Sequence, residues 1–481
     1  MSNSVKKNYI YNLIYQIISF LTPLITAPYL ARTLGASAIG YYSFVSSVVI
    51  YFFVIASLGT HTVGQREIAY CQNDIQKRTS VFYDIVILRF MLSLIITLIY
   101  IIFIYTNNKP LIYYTQILCL TNIAFDFSWF FRGLEEFRWI VISQIITKVA
   151  TIMYILMFIK KPDDVIFYSF IPQLFCFICY IAYIPGIIKR IDINIHYVSN
   201  PLKYLKDSIV LFIPYIATTI NSYFDKIMIG VYDATKLQNG YYEEATKVVS
   251  ILLLIVTILG NTLMPRISAL YNENKIDIIE QYMIKSYRYT LMISLPMAFG
   301  LVSVASNFVP WFFGNEFLPS IQIVTILAFT IILIGISYLT GFQYLIGTGK
   351  QNIYTIIVTI GAILNIVLNL VLIPRYYAVG AAIATVLSEF FVTFTEMLYV
   401  GKSINLVVVF SSVKMYVFAS LLMFAITFTM GKVLIPSPIN SFFIFLVGSL
   451  IYVLILLVFK DELLCNILDI IYNRFNINNN I

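Results

Sequence analysis

Fourteen stretches of about twenty mostly apolar residues follow one another along this 481-residue chain, separated by short polar breaks. A helix rising 1.5 Å per residue needs roughly that many residues to cross about 30 Å of hydrocarbon. The cores fall at 9–31, 39–60, 81–105, 111–131, 139–159, 165–187, 208–231, 245–265, 287–313, 319–345, 352–374, 377–400, 404–430 and 441–459. The runs are continuous rather than alternating at every second residue, which excludes a β-barrel. The composition agrees: 60% of residues are hydrophobic and 11% charged, against about 25% charged in soluble domains, and mean hydropathy is +0.88. The expected fold is an all-α polytopic membrane protein of about fourteen transmembrane helices.

The charge pattern orients these spans. A formal net charge of +8 is compatible in principle with nucleic-acid binding, but the Lys and Arg residues are scattered singly between apolar runs, as membrane topology requires. With the N-terminus in the cytoplasm, cytoplasmic segments hold twenty basic residues, among them Lys6, Lys7, Arg66, Lys77, Arg78, Lys189, Arg190, Lys203 and Lys206. External segments hold eight, among them Arg32, Lys109, Lys160, Lys161 and Lys236. Both termini are therefore expected inside. The first apolar run passes Pro28 to Arg32 without an Ala-x-Ala cleavage site and is expected to be a retained span.

A repeat runs through the chain at a nearly constant offset of about 200. Leu34-Gly35 and Gly40-Tyr41-Tyr42, with Val48-Val49, are matched by Ile229-Gly230 and Gly240-Tyr241-Tyr242, with Val248-Val249. Leu58-Gly59 and Arg66 are matched by Leu259-Gly260 and Arg266. The second span pairs with the eighth, six crossings later, so both run in the same direction. This predicts two six-helix bundles in parallel pseudo-repeat, plus two C-terminal helices. The expected lobes are 1–190 and 207–402. Between them lies a cytoplasmic linker, 191–206, and after them come the last two spans, 403–460, and a cytoplasmic tail, 461–481.

No enzymatic site emerges. The chain lacks a Walker A sequence and a dinucleotide-binding turn. Two histidines, His61 and His196, cannot build a histidine metal cluster. The Cys176-Phe-Ile-Cys179 pair lies in an apolar run that offers no further ligands. No cofactor or metal is expected, and transport must draw on an ion gradient or on the substrate gradient. Charged residues inside spans are costly and are candidate functional groups. Asp225 and Lys226 are adjacent in the seventh span, with Asn221 one turn before Asp225; they line a cavity or form a structural inter-helix bridge. Lys148 sits nine residues into the fifth span, one turn from Gln144, and needs water, an anion or a carboxylate. Arg32 ends the first span, as part of an outward opening or as an interface anchor. Asp84 and Arg89 in the third span are expected to form a structural pair. Glu389 and Glu396, seven apart on one face of the twelfth span, are proton or cation sites or inter-bundle hydrogen-bonding groups.

Several stretches resemble the bacterial oligosaccharide repeat-unit flippases, the Wzx-type proteins. They are Asn8-Tyr-Ile-Tyr-Asn-Leu-Ile-Tyr-Gln16 with Pro23-Leu-Ile-Thr-Ala-Pro28-Tyr-Leu-Ala-Arg32-Thr-Leu-Gly35, then Gly40-Tyr-Tyr-Ser-Phe44 and Trp129-Phe-Phe-Arg132. Asp225-Lys226-Ile-Met-Ile-Gly230 and Asn365-Ile-Val-Leu-Asn369 followed by Ile373-Pro374 complete the series. The resemblance implies the multidrug/oligosaccharidyl-lipid/polysaccharide exporter fold, a bacterial cytoplasmic membrane location and alternating access. The implied substrate is undecaprenyl-diphosphate-linked oligosaccharide, for O-antigen, capsule or a related surface polysaccharide. Arg32, Lys148, Asn221, Asp225 and Lys226 are the expected cavity residues, and Asp225, Glu389 and Glu396 the expected H⁺ or Na⁺ coupling groups. A polysaccharide polymerase complex is an expected partner alongside membrane lipid; nucleic acid is not. The chain departs from the family's pattern in having no dense cluster of cavity arginines. The alternatives are a cation-coupled multidrug exporter of the same superfamily and a non-transporting scaffold of an envelope assembly complex.

Overall fold

The computed structural model describes residues 3–193, 197–258 and 263–466. Of these, the side chains of 3–13, 15–17, 213–215, 217–218, 220–222, 258 and 412 lie outside the description. Leu259-Gly260 of the repeat, His196 and the segment 467–481 also lie outside the described residues. Among those described, the chain is helical without strands.

Among the described residues, every apolar run is largely helical. The first two share α1 (Asn3–Ser57), which breaks at Gly35, where φ is 78°. That backbone is open to glycine and strained for other residues. Then follow α2 (Thr60–Tyr70), α3 (Ile75–Thr106), α4 (Leu111–Thr115), α5 (Ile117–Phe125), α6 (Ser128–Gly133), α7 (Phe137–Phe158), α8 (Val165–Ile181) and α9 (Ile184–Ile188). The second half continues with α10 (Leu205–Tyr232), α11 (Leu237–Ile258), α12 (Met264–Asn272), α13 (Ile276–Phe312), α14 (Ser320–Leu327), α15 (Thr330–Ser337) and a π-helical stretch, Tyr338–Ile346. Next is α16 (Gln351–Val400), which carries the eleventh and twelfth runs on either side of a break at Tyr377. Last are α17 (Leu406–Val433) and α18 (Pro438–Val458). Nine helices among the described residues are long and apolar enough to cross a membrane. Two of these nine hold a pair of spans each.

The element order repeats. A short helix (α2, α12) follows the second and eighth spans. A long one comes next (α3, α13), at 32 and 37 residues. Then comes a broken span: α4–α6 in the first half, α14, α15 and the π stretch in the second. Two further spans close each set: α7 and α8, then the two arms of α16.

The chain divides into two compact units, Met1–Glu243 and Glu244–Ile481. In the first, α10 packs against α1. Glycines set the closest approach: a methyl on Gly40 would overlap the Lys236 carbonyl oxygen, and one on Gly240 the Ala36 carbonyl oxygen. Ser43 Oγ donates to Glu243 Oε2 at 2.7 Å. Gly40 with Gly240, and Ser43 with Glu243, are pairs at an offset of 200. In the same unit an aromatic cluster of Phe82, Trp129, Phe130, Phe131 and Tyr183 is buried.

The expected Asp84–Arg89 pair is not formed. The Asp84 carboxylate instead accepts from Ser199 N at 2.9 Å and Ser199 Oγ at 2.7 Å. It thereby pins the segment before α10 to α3. Burial accounts for the difference: Asp84 is fully buried and needs donors at its own depth, and Ser199 supplies two.

In the second unit, α17 and α18 pack on α13. Asn307 donates to the carbonyls of Leu434 and Ile435 at 3.0 and 3.1 Å and accepts from Ser441 Oγ at 2.7 Å. A buried amide thus closes the loop joining the last two spans.

Candidate functional site

The fourth apolar run does not form one helix. Asp126-Phe127 interrupts it between α5 and α6, with Asp126 extended at φ −73°, ψ 96°. Its Oδ1 accepts the Ser128 amide at 2.9 Å, so the aspartate side chain satisfies a donor freed by the break. Broken backbone at membrane depth is tolerated only where it is covered by protein or lines a hydrated cavity. Here it lines a cavity of about 360 Å³ in the first unit.

The cavity wall carries polar groups contributed by several spans. Arg89 of α3 is buried and reaches the Ile123 carbonyl at 2.7 Å, Thr60 Oγ1 at 3.1 Å and Asp126 Oδ2 at 3.7 Å. His61 at the start of α2 bonds through Nε2 to Ser128 Oγ at 3.1 Å. Asn122 donates to the Gln173 carbonyl at 3.0 Å; its own Oδ1 is buried without a partner. Gln173, Tyr180, Cys119 and Cys176 also line the space. Arg89 was visible as a charge inside a span, but its grouping with Asp126 and His61 was not. The break at Asp126-Phe-Ser128 is the local signal that points to it.

A second polar group forms where α1, α10 and α11 meet. Lys226 Nζ lies 2.7 Å from Glu243 Oε2, the oxygen that also accepts from Ser43. Asp225 is buried, and its Oδ2 accepts the Tyr242 hydroxyl at 2.8 Å. Asn239 donates to the Lys226 carbonyl at 2.6 Å. The adjacent residues Asp225 and Lys226 therefore have separate partners, as their roughly 100° separation on a helix requires. Beyond the end of α10, Lys236 donates to the Gly230 carbonyl and, at 3.0 Å, to the Asp233 carbonyl. Burial, with repulsion from Lys109, lowers its pKa against the pull of Asp233.

Of the other expected cavity residues, Lys148 is half-buried on α7, within electrostatic range of the cavity-lining Cys176. Arg32 is exposed on α1. The side chain of Asn221 on α10 lies outside the described residues.

The second unit has its own buried carboxylate. Glu396 is fully buried, accepts from Thr340 Oγ1 at 2.9 Å and lies within hydrogen-bonding reach of Ser337. Thr340 belongs to the π-helical stretch, a distortion frequent at functional sites. A methyl on Gly341 in the same stretch would press on Glu396 Oε1. Glu389 is half-buried one face-repeat earlier, close enough to Glu396 to interact electrostatically. The interrupted spans thus occupy corresponding places in the two halves, the arrangement that marks binding sites in repeat-built transporters.

The family model described as polysaccharide biosynthesis protein matches residues 5–271. A protein of Escherichia coli (strain K12) described as a putative O-antigen transporter is 24% identical over 413 residues, covering 83% of this chain and 97% of that protein. Among solved structures, the lipid II flippase MurJ in an inward closed conformation aligns over 95% of this chain and 99% of its own, with a TM-score of 0.73 and 16% identity. An inward-facing multidrug resistance MATE family transporter of the MOP superfamily aligns over 79% of this chain and 93% of its own, with a TM-score of 0.64 and 14% identity. These likenesses establish the fold of that superfamily. With more than half its length under one family model, the chain belongs to the polysaccharide biosynthesis protein family.

Proposed function

We propose that the chain is a flippase that carries undecaprenyl-diphosphate-linked oligosaccharide repeat units from the cytoplasmic to the outer leaflet by alternating access. The observation that carries this reading is the polar cavity at the broken fourth span. A chain so apolar retains Arg89, His61 and Asp126 together around one cavity, and ionisable groups kept at membrane depth mark substrate or ion pathways. The O-antigen transporter among its relatives supports the substrate class.

In this reading Arg32, Lys148 and Lys226 attract the substrate diphosphate, with Asn221 and Asp225 beside them. A diphosphate crossing low-dielectric surroundings loses its hydration, and fixed cations offset that loss. Lys226 meets it by exchanging Glu243 for a phosphate oxygen. Asp225, Glu389 and Glu396 carry the coupling H⁺ or Na⁺. The lobes are 1–190 and 207–402, and the protein lies in the bacterial cytoplasmic membrane with both termini inside. A surface-polysaccharide polymerase is the partner that receives the flipped unit.

Glu396, buried beside Glu389 without a basic partner among its hydrogen bonds, favours a second reading, a cation-coupled multidrug exporter. Depleting the protein from its own cells separates the two. The flippase reading expects lipid-linked oligosaccharide to accumulate on the cytoplasmic leaflet. Normal surface glycan with raised sensitivity to hydrophobic cations would instead establish the exporter.

A further inference from the structure

The cavity in the first unit has a charge balance and a set of polar groups that select a particular kind of ligand. Arg89 and Asp126 are the Lys, Arg, Asp and Glu residues in its wall, and they stand 3.7 Å apart. Each compensates the other. A bare phosphate entering the cavity meets Asp126 beside Arg89, and a metal cation meets Arg89 beside Asp126; either ion has its attraction largely cancelled. A neutral ligand rich in hydroxyls has no such conflict, because each hydroxyl both donates and accepts and can bridge a guanidinium to a carboxylate.

The uncharged groups point the same way. Asn122 Oδ1 is an acceptor with no hydrogen-bond partner, on a residue 5% exposed. Leaving such an acceptor empty costs about 1–3 kcal/mol, a cost that a ligand hydroxyl removes once rotation of the Asn122 amide turns the oxygen toward the cavity. Gln173 adds an amide that both donates and accepts. Phe53 and Tyr180 contribute aromatic faces to the same wall. A pyranose ring has the matching character, with hydroxyls at its edge and an apolar C–H face. The volume, about 360 Å³, stands at the small end of the roughly 300–1,000 Å³ of ligand pockets. That is enough for a sugar ring or two but not for an isoprenoid chain.

We infer that this cavity is a subsite for an uncharged sugar residue of the transported glycan, read by Asn122, Gln173 and the Arg89–Asp126 pair, with Lys148, assigned to the diphosphate, near its Cys176 edge. The assignment rests on the flippase reading and deepens it. The subsite supplies selectivity for the loaded carrier over the bare one: a site built to bond hydroxyls discriminates against a ligand that leaves its polar groups unfilled.

Two measurements test this on the full-length protein in lipid nanodiscs. The first compares binding of polyprenyl diphosphate with that of polyprenyl-diphosphate-N-acetylglucosamine, for wild type, Asn122→Leu and Gln173→Leu. The wild type is expected to prefer the sugar-bearing lipid by about tenfold, and each leucine variant to bind both lipids as the wild type binds the bare one. Equal wild-type affinity for the two lipids, or full preference retained in both variants, overturns the subsite and leaves the flippase reading standing. Binding of neither lipid by the wild type overturns both. The second measurement needs no change to the polar wall. With Cys71, Cys179 and Cys465 replaced by serine, Cys119 and Cys176 remain as reporters inside the cavity. Their alkylation by a maleimide is expected to slow several-fold with the sugar-bearing lipid and not with the bare one. Equal protection by both lipids contradicts the subsite.

Discussion

Gly40 and Gly240 let helix α1 approach the start of α11 so closely that neither position has room for a Cβ. Overpacking a tight contact typically costs about 1–3 kcal/mol. Gly40→Val and Gly240→Val are each expected to lower the thermal stability of the detergent-solubilised protein, and a control Gly300→Val, where the nearest atom to an added Cβ is Met423 Cε at 3.9 Å, to lose less. The check is a melting curve followed by intrinsic fluorescence, and equal losses at the three sites would remove the packing explanation. Lys226 and Glu243 make a second residue-scale prediction. Glu243→Gln removes the carboxylate held at 2.7 Å, and an unpaired lysine within the membrane costs about 2.5–3.5 kcal/mol on insertion-derived scales. That variant is expected to destabilise the protein, and Lys226→Met added to it to restore stability without restoring transport. Failure of the double variant to recover stability would make the pair energetically idle.

At the scale of elements, the positions of the spans were legible because hydrocarbon thickness imposes a length that sequence alone reveals. The predicted core at 81–105 lies inside α3, that at 139–159 overruns α7 by one residue, and that at 404–430 starts two residues before α17. The breaks were less legible. Hydropathy averages over Asp126, and it counts the Tyr338–Ile346 stretch as ordinary helix, because a π turn changes hydrogen bonding without changing composition. The partners of Asp84 and Glu243 were equally hidden, since Ser199 and Ser43 are remote in sequence and neither stands out by residue type. Conversely, Gly240 and Asp225-Lys226 were visible as motifs, though their contacts were not. Orientation is an element-scale expectation resting on the basic-residue asymmetry. Reporter fusions after Lys109 and Lys236 should read external, and those near Lys77 and Lys203 internal. A reversed reading at two of these sites would defeat the topology with both termini cytoplasmic.

For the whole molecule, the repeat gives the parts a common plan. Each half presents one interrupted span, at Asp126-Phe127 and at Tyr338–Ile346, with ionisable groups buried beside it. The first half holds the compensated Arg89–Asp126 pair with His61, and the second holds Glu396. This asymmetry fits a division of labour between glycan recognition and ion coupling. The most direct test is transbilayer movement in proteoliposomes: the rate at which polyprenyl-diphosphate-N-acetylglucosamine placed in one leaflet becomes accessible to a membrane-impermeant lectin on the other side. The wild-type protein should move it well above the protein-free rate, Lys148→Ala should fall by about tenfold or more, as loss of one charged contact worth about 1.5–3 kcal/mol implies, and Lys148→Arg should retain part of the activity. A wild-type rate no faster than that of empty vesicles, with the protein folded and inserted, would contradict the account.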